Sequence, residues 1–384
     1  MKMKRLNLIA AAALTIMATA TAMPTGLRAA DTVSLPCVCE LSGAGAVSGT
    51  NYRDGAKMAA EEINAAGGIL GKKIVMTDYD TQSDAQTSRA LVQKAIDAEA
   101  YAIIGTVYSG STIVNMLVAQ QNGVPQFTGS EAPNVTRQGN PYIFATSSSS
   151  AKGVPGLTPY FKDTLKAKKI GVAWVNNEFG KGGHDVFVNE MKGAGITVVA
   201  DVPSEQGQAD FAADVSKIKE SGAEAVFVYL NEEEAARFLK EAKKQGLKAP
   251  LVGEVTLTSQ KVIDLAGDAA NGAYAHVGIT VGANVPAVQE FGKKFKQKYS
   301  RDTDHNGLKG YIAVYAVKYV TEMNGSLDQE ALAKKLHGLT LDVAKYPGML
   351  LTTSWDKTGE MSRESFMTQV VDGKQKVIGT VPAN

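Results

Sequence analysis

The sequence has 384 residues, of which 44% are hydrophobic and 21% are charged, and this length is enough for two domains of ordinary size. Its 40 Lys and Arg residues balance 39 Asp and Glu residues, which gives a formal net charge of +1. Such a balance provides no basic surface to hold a phosphate backbone, and it argues against nucleic acid as a partner.

Residues 1–30 have the layout of a secretory signal peptide. Lys2, Lys4 and Arg5 make a positive start, an uncharged run follows over 6–22, and small residues precede Asp31. As a membrane anchor the run is short and rich in Ala and Thr, because a spanning helix needs about 20 predominantly apolar residues. We therefore predict export, removal of 1–30 and a mature chain that begins near Asp31.

The first apolar run of the mature chain contains the only two cysteines, Cys37 and Cys39. Side chains at positions i and i+2 of a strand point to the same side, and we expect this arrangement to be poor for a disulfide. Two cysteines without a neighbouring His or a further Cys do not form a zinc site. The sequence thus predicts two unpaired, buried cysteines.

Short apolar strands alternate with helices through the first half of the chain. The pattern predicts strands at 33–39, 74–79, 101–106 and 125–128, and helices near 56–63, 88–98 and 112–121. This alternation indicates a parallel sheet that is covered by helices on both faces.

The same pattern starts again after a serine-rich joint at 146–150. Strands are predicted at 170–175, 197–202, 225–229 and 250–252, helices at about 182–194, 209–221 and 232–246, a helical block at 285–339, and late β-strands within 349–379. The predicted fold class is therefore α/β, with two doubly wound, Rossmann-like lobes built on parallel sheets. We assign 31–146 with 280–347 to the first lobe and 147–279 with 348–384 to the second.

Two features that often mark cofactor sites do not fit one here. The glycine-rich loop at 43–49 has a spacing one residue longer than the common dinucleotide fingerprint, and no acid follows about 20 residues later. The histidines stand far apart and show no metal-ligand spacing. We expect no cofactor, a structural role for His276, and a candidate pocket position for His305.

Polar turns follow several predicted strands, at the edge where open α/β sheets bind ligands. The stretch Tyr108-Ser109-Gly110-Ser111-Thr112 opens a helix, where free N–H groups and hydroxyls form a cradle of carboxylate size. A plain N-cap needs only one such hydroxyl. The turn Ser130-Glu131 follows the next strand, and the second half has comparable positions at 176–180, Asn231 and Glu254.

Several stretches of the sequence match a known pattern when they are taken together. They are the block 62–71 (EINAAGGILG), the start Leu41-Ser42-Gly43, Ile104-Gly105 leading into 109–112, Phe179-Gly180 after a strand, and Tyr311 in the late helix. With the signal peptide, they resemble the periplasmic branched-chain amino-acid-binding proteins of ABC importers over essentially the whole mature chain. The block 62–71 is the most specific of these stretches.

The resemblance implies a fold, a location and a way of working. The fold would be that of a type I periplasmic binding protein, with three hinge crossovers between two lobes. The protein would be a periplasmic monomer that holds a small molecule between its lobes and catalyses no reaction. Its closed form would dock on the permease of an ABC transporter in the inner membrane.

The resemblance also implies which residues contact the ligand. The ligand carboxylate would meet 109–112 and the turn Ser130-Glu131. Ser48 stands where the family often has an aromatic residue at the lip of the cleft. Phe179 matches an aromatic residue that covers the ligand from the second lobe.

The sequence departs from the family where an amino-acid ligand would place its ammonium group. The family has an acid after the strand 250–253, but Val255 falls on that position, Glu254 stands one before it, and Asn231 replaces a tyrosine. A buried, unpaired ammonium group would cost several kcal/mol. Either Glu254 or Glu131 pairs with the amine, or the ligand is a carboxylate without an amine, such as an aromatic acid. Asn231, Glu254 and Val255 stay in the candidate site.

Two other functions are compatible with these residues. An exported hydrolase could use Ser109 or Ser111 as a nucleophile, which would require a His and an acid within hydrogen-bond reach. A ligand sensor could present the same closed form to a membrane receptor instead of a permease.

Overall fold

The computed structural model describes residues 32–383. The predicted signal peptide lies outside this range. Within the range, no helix combines the length and the apolar character that a membrane crossing requires.

The first half of the chain forms a body around a five-stranded parallel sheet with the strand order β4-β2-β5-β6-β7. Its strands are β2 (Cys37–Cys39), β4 (Asp78–Asp80), β5 (Ile103–Ile104), β6 (Gln126–Thr128) and β7 (Ile143–Ala145). A separate parallel pair, β1 (Thr32–Ser34) with β3 (Lys73–Val75), extends this body. Strands β2, β5, β6 and β7 are short and buried, as expected for a sheet covered on both faces, whereas the edge strand β4 is half-buried.

Helices from both ends of the chain cover the first sheet. They are α1 (Ala46–Ala65), α2 (Ala85–Asp97), α3 (Ser109–Gln121), α9 (Pro286–Tyr299), α10 (His305–Asn324) and α11 (Gln329–Leu336). Helices α1 and α10 lie so close that a Cβ atom on Gly310 would stand 1.9 Å from the carbonyl oxygen of Tyr52. Glycine is therefore required at this contact.

The middle of the chain forms a second body around a seven-stranded sheet with the order β17-β16-β12-β11-β10-β8-β9. Its strands are β8 (Lys169–Val175), β9 (Thr197–Ser204), β10 (Ala225–Tyr229), β11 (Leu251–Glu254), β12 (Tyr274–Val277), β16 (Ser365–Val371) and β17 (Lys374–Val381). The first five are parallel, whereas β16 and β17 add antiparallel strands at one edge. The helices of this body are α4 (Ser150–Pro159), α5 (Glu178–Gly193), α6 (Ala212–Glu220), α7 (Glu232–Lys244) and α8 (Gln260–Ala266).

The chain passes between the two bodies three times, at 146–149, 278–285 and 363–364. The α/β class, the mostly parallel sheets and the two-bodied, three-crossover architecture confirm the predicted fold. Because the strands of the first sheet and five strands of the second run in parallel, the polar turns at their carboxyl ends meet in the cleft between the bodies.

The segment 340–362 packs against the first body before the chain crosses for the last time. It forms a small antiparallel sheet of β13 (Thr340–Leu341), β14 (Thr353–Trp355) and β15 (Met361–Ser362). The indole of Trp355 donates a hydrogen bond to the carbonyl oxygen of Ala145 at 2.7 Å. Trp355 is also buried in the core cluster of the first body.

The predicted strand 33–39 is divided into β1 and β2, with Pro36 between them. Proline has no N–H group for the strand ladder, and the two parts pair with different neighbours.

Cys37 and Cys39, which follow Pro36, form a disulfide. The expectation of two unpaired cysteines is therefore wrong. The two Cα atoms are 5.6 Å apart, closer than the ~6.6 Å that two residues span in an extended strand and well within the range for a bridge.

Candidate functional site

A cavity of about 170 Å³ lies between the two bodies. Its first-body wall includes Ser48, Tyr108, Ser109, Gly110, Ser111, Glu131, His305, Asn306 and Lys309. Its second-body wall consists of Asn177, Phe179, Gln206, Asn231, Glu232 and Thr256. The structure thus brings together eight of the residues predicted from the sequence, Ser48, Tyr108, Ser109, Gly110, Ser111, Glu131, Phe179 and Asn231, and the candidate His305.

The N-terminus of α3 forms one end of the cavity. Tyr108 takes an extended conformation before the helix, and the N–H groups of Ser109, Gly110 and Ser111 have no acceptor among residues 32–383. The hydroxyl of Ser109 accepts a hydrogen bond from the N–H of Ala132 at 3.2 Å. Free N–H groups and the positive end of the helix dipole make this helix end suited to an anion.

Thr112 and Ser130 lie behind the cavity wall instead of lining it. Both are buried, and their hydroxyl oxygens are 2.6 Å apart. The hydroxyl of Thr128 donates to that of Ser130 at 2.9 Å, and the hydroxyl of Ser130 donates to the carbonyl oxygen of Val107 at 3.0 Å. This network ties the turn after β6 to the turn that precedes α3.

Glu40 stabilises the turn before α3 by binding its backbone. Its carboxylate accepts hydrogen bonds from the N–H groups of Val107 and Tyr108, each at 3.1 Å. Burial raises the pKa of Glu40 to about 7, although these two hydrogen bonds act in the opposite direction. The sequence analysis did not identify Glu40, whose role depends on the pairing of β2 with β5.

Lys309 places a cation at the cavity wall, next to Glu131. Its Nζ atom is 2.6 Å from a carboxylate oxygen of Glu131, and only 3% of the lysine side chain is exposed. Ser147 also donates a hydrogen bond to this carboxylate, at 2.9 Å. Lys309 was not predicted from the sequence, although a lysine within the apolar block that becomes α10 is a recognisable signal.

The second-body wall is polar apart from one aromatic residue. Phe179, near the start of α5, stacks on Tyr229 with 4.3 Å between ring centroids. Asn177, Gln206 and Asn231 present carboxamides to the cavity. The side chain of Asn231 has no hydrogen-bond partner within the described range.

Glu232 extends from the start of α7 to the first body. The hydroxyl of Ser48 donates a hydrogen bond to Oε1 of Glu232 at 2.6 Å, so the contact bridges the cleft. Burial raises the pKa of Glu232, although the Ser48 hydrogen bond lowers it. The sequence analysis missed this acid because it stands in a run of three glutamates that reads as an ordinary helix start.

Glu254 and Val255 lie outside the cavity. Oε2 of Glu254 is 3.1 Å from Nδ1 of His276, and Nε2 of that histidine is 2.7 Å from the hydroxyl of Ser365. Burial acts to lower the pKa of His276, but the neighbouring Glu254 charge raises it. Val255 is buried in a small cluster with Ala275 and Val277, and Thr256 reaches the cavity instead.

His305 lines the cavity with a neutral ring. Burial, together with the charges of Lys309 and Arg363, holds its pKa well below the ordinary value. Neither His305 nor another described histidine makes a hydrogen bond to the hydroxyl of Ser109 or Ser111. The described residues also contain no cluster of His, Cys, Asp and Glu that could hold a metal ion.

Comparison with known proteins identifies the family. A model of the periplasmic binding proteins matches residues 32–375. The chain belongs to this family. The match extends through both bodies and all three crossovers, and it confirms the resemblance found in the sequence.

The relatives of this periplasmic binding protein are themselves binding proteins by name. A "Leucine-, isoleucine-, valine-, threonine-, and alanine-binding protein" of Pseudomonas aeruginosa is 28% identical over 315 residues, which are 82% of this chain and 84% of the relative. A "Leu/Ile/Val/Thr-binding protein" of Salmonella typhimurium is 25% identical over 341 residues, with 88% and 90% of the two chains covered.

Solved structures share the fold at lower identity. The branched-chain amino acid transporter substrate-binding protein LivJ of Streptococcus pneumoniae, in complex with isoleucine, superposes with a TM-score of 0.82 at 24% identity, covering 92% of this chain and 99% of that one. A solute-binding protein of an ABC transporter from R. palustris, in complex with benzoate, gives a TM-score of 0.82 at 19% identity, with 92% and 97% covered.

Proposed function

We propose that this chain is the periplasmic binding component of an ABC importer and that it holds a small carboxylate-bearing ligand in the cavity between its two bodies. The observation that carries the proposal is the N-terminus of α3, where three N–H groups that have no acceptor among residues 32–383 lie at that cavity. The ligand is bound and released without a chemical step. The protein works as a monomer and docks on its permease in the closed form.

The carboxylate is held by Ser109, Gly110 and Ser111. Their N–H groups and hydroxyls are donors, and the dipole of α3 adds a favourable electrostatic interaction with a negative charge. Lys309 adds a cation on the same side of the cavity. The neutral His305 can donate one further hydrogen bond.

The ligands named for the relatives fit this chemistry. The Pseudomonas and Salmonella proteins are named for amino acids, the Streptococcus structure contains isoleucine, and the R. palustris structure contains benzoate. A carboxylate is common to all of these molecules, whereas an amine is not. We therefore propose that this chain also binds a ligand with a carboxylate. Whether it recognises an amine is a separate question.

An acid without an amine remains a second candidate ligand class. Of the two acids that the sequence suggested as amine partners, Glu131 is paired with Lys309 and Glu254 with His276. A ligand amine would have to compete with these internal partners.

The two bodies act as lobes that close on the ligand by bending at the three crossovers. The contact between Ser48 and Glu232 crosses the cleft, and a Cβ atom on Gly182 of the second body would stand 2.8 Å from Pro133 of the first. We also propose that 348–362 belongs to the first lobe, because Trp355 packs there. The last boundary between the lobes then lies at 363–364.

Replacement of Ser111 tests the carboxylate site. We expect Ser111→Ala to weaken binding about ten-fold or more, because a hydrogen bond to a charged group contributes about 1.5–3 kcal/mol. Isothermal titration calorimetry with the standard amino acids and with benzoate measures the change. Ser216→Ala is the matched control, since Ser216 lies on α6 and bonds to Gln245. Equal affinity in the Ser111 variant and the control would contradict the proposed site, as would a failure of every carboxylate to bind.

A further inference from the structure

We propose that Glu232 pairs with an amine of the ligand, so that the ligand class is a carboxylic acid that also carries a cationic amine. This inference rests on the proposed function and adds the second recognition group. It assigns the amine to an acid at the start of α7, on the opposite wall from the carboxylate cradle.

The other two candidate acids are already neutralised within the protein. Glu131 lies 2.6 Å from Nζ of Lys309, and it also accepts a hydrogen bond from Ser147. Glu254 lies 3.1 Å from His276 and does not line the cavity. A ligand amine would have to displace an internal cation at the first site and could not reach the second without a change in the cavity wall.

Glu232 is different because it lines the cavity and has no cationic partner in the part of the chain that the structure describes. Among residues 32–383, no Lys, Arg or His lies within ion-pair distance of its carboxylate. Arg237, one turn further along α7, pairs with Glu233 instead, at 3.0 Å. Ser48 donates to Oε1, which leaves Oε2 of Glu232 without a hydrogen-bond partner in the described chain.

The charge balance of the cavity favours a ligand with both signs of charge. Lys309 and Glu131 cancel each other and His305 is neutral, so Glu232 leaves one uncompensated negative charge on the lining. A ligand that brings only a carboxylate adds a second negative charge to a cavity whose lining already carries one. A ligand that also brings an amine compensates Glu232, while its carboxylate lies at α3.

The surroundings of Glu232 are suited to a polar group. The free carboxamide of Asn231 lies beside it in the chain and faces the same cavity. The amide nitrogen of Gln206 has no acceptor in the described range, whereas its oxygen accepts a hydrogen bond from Asn177 at 3.1 Å. These groups can bind the remaining amine hydrogens and neighbouring ligand atoms, directly or through water.

Matched pairs of probes separate the amine from the rest of the ligand. We would titrate leucine against 4-methylpentanoate, and phenylalanine against 3-phenylpropanoate, with the wild-type protein and with Glu232→Gln and Glu233→Gln. Each pair differs only in the amine. Glu233→Gln removes the same charge from the same helix turn, but Glu233 faces Arg237 and does not line the cavity.

We expect the wild-type protein to prefer the amine-bearing member of each pair that binds. Glu232→Gln should weaken binding of that member at least ten-fold and should leave the amine-free acid unchanged or bound more tightly, because repulsion is removed. Glu233→Gln should change neither. Opposite effects on the two members cannot arise from a general loss of structure.

Three results would overturn the inference. The first is tighter binding of the amine-free acids than of the amine-bearing ones by the wild-type protein. The second is an equal loss of affinity for both members of a pair in Glu232→Gln. The third is a loss of the amine preference in Glu254→Gln while Glu232→Gln keeps the wild-type preference. If no carboxylate probe binds to the wild-type protein, the proposed function itself fails. That outcome differs from one in which carboxylates bind without regard to the amine.

Discussion

Lys309 and Glu131 place opposite charges side by side at the cavity wall, largely out of contact with water. The desolvation of two such ions is offset only while both are present, because each supplies the other's main interaction. This pair therefore serves the site in two ways. It holds α10 to the turn after β6, and it keeps the cation in place beside the carboxylate cradle.

We predict that Lys309→Met lowers the free energy of unfolding by about 3 kcal/mol, because it leaves the Glu131 carboxylate without a cation. The double variant Lys309→Met, Glu131→Gln should regain a large part of this loss, since no uncompensated charge remains. Urea denaturation of the four proteins in the cycle measures both effects. Strictly additive losses would show that the two side chains do not interact.

At the residue scale, local chemistry made part of the site predictable. The cradle at 108–112 and Phe179 follow from turn residues and from family resemblance, both of which are visible in the sequence. Glu232 was missed because it stands in a run of three glutamates at a helix start. Lys309 stands out in an apolar block, but its partner Glu131 comes from a distant part of the chain. Glu254 was displaced from the cavity because a shift of one residue at a strand end turns the side chain away.

Helices α1 and α10 pack with their backbones in close contact within the first body. A Cβ atom on Gly310 would lie 1.9 Å from the Tyr52 carbonyl oxygen, and one on Gly55 would lie 1.9 Å from that of Gly307. Glycines on both helices therefore allow the two backbones to touch. This contact fixes the start of α10, which carries His305 and Lys309 into the cavity.

We predict that Gly310→Ala lowers the thermal unfolding midpoint, with a loss of about 1–3 kcal/mol, because the added methyl group forces the two helices apart. Gly193→Ala is the control. Gly193 ends α5, and a Cβ atom there would meet no heavy atom within 4 Å among residues 32–383, apart from its chain neighbours and the backbone of its own helix. A Gly310 variant as stable as this control would mean that the helices can separate without cost.

At the scale of elements, the alternation of strands and helices was readable because short apolar strands and amphipathic helices have different periods. Two details could not be predicted from the sequence. Pro36 divides the first strand, and the Cα atoms of Cys37 and Cys39 lie 5.6 Å apart, which is close enough for a disulfide. The sheet at 340–362 packs on the first body through Trp355, a contact that no local pattern reveals.

The whole molecule is two sheet-centred bodies joined by three crossovers, with the carboxyl ends of both sheets facing one cavity. Repeated crossing means that neither body consists of one continuous stretch of chain. The closure that we propose would therefore bend all three connections together, as in a hinge motion of two rigid lobes. The number of lobes was predictable from the repeated pattern, whereas the exact segments in each lobe stay a prediction.

The central claim is that the lobes close around a small acid. Solution X-ray scattering tests it most directly. Ligand-stripped protein is measured with and without a saturating mixture of the standard amino acids and benzoate. We predict a smaller radius of gyration in the presence of the mixture, and no such change for Ser111→Ala at ligand concentrations that it no longer binds. An identical scattering curve for the wild-type protein in both conditions would contradict the account.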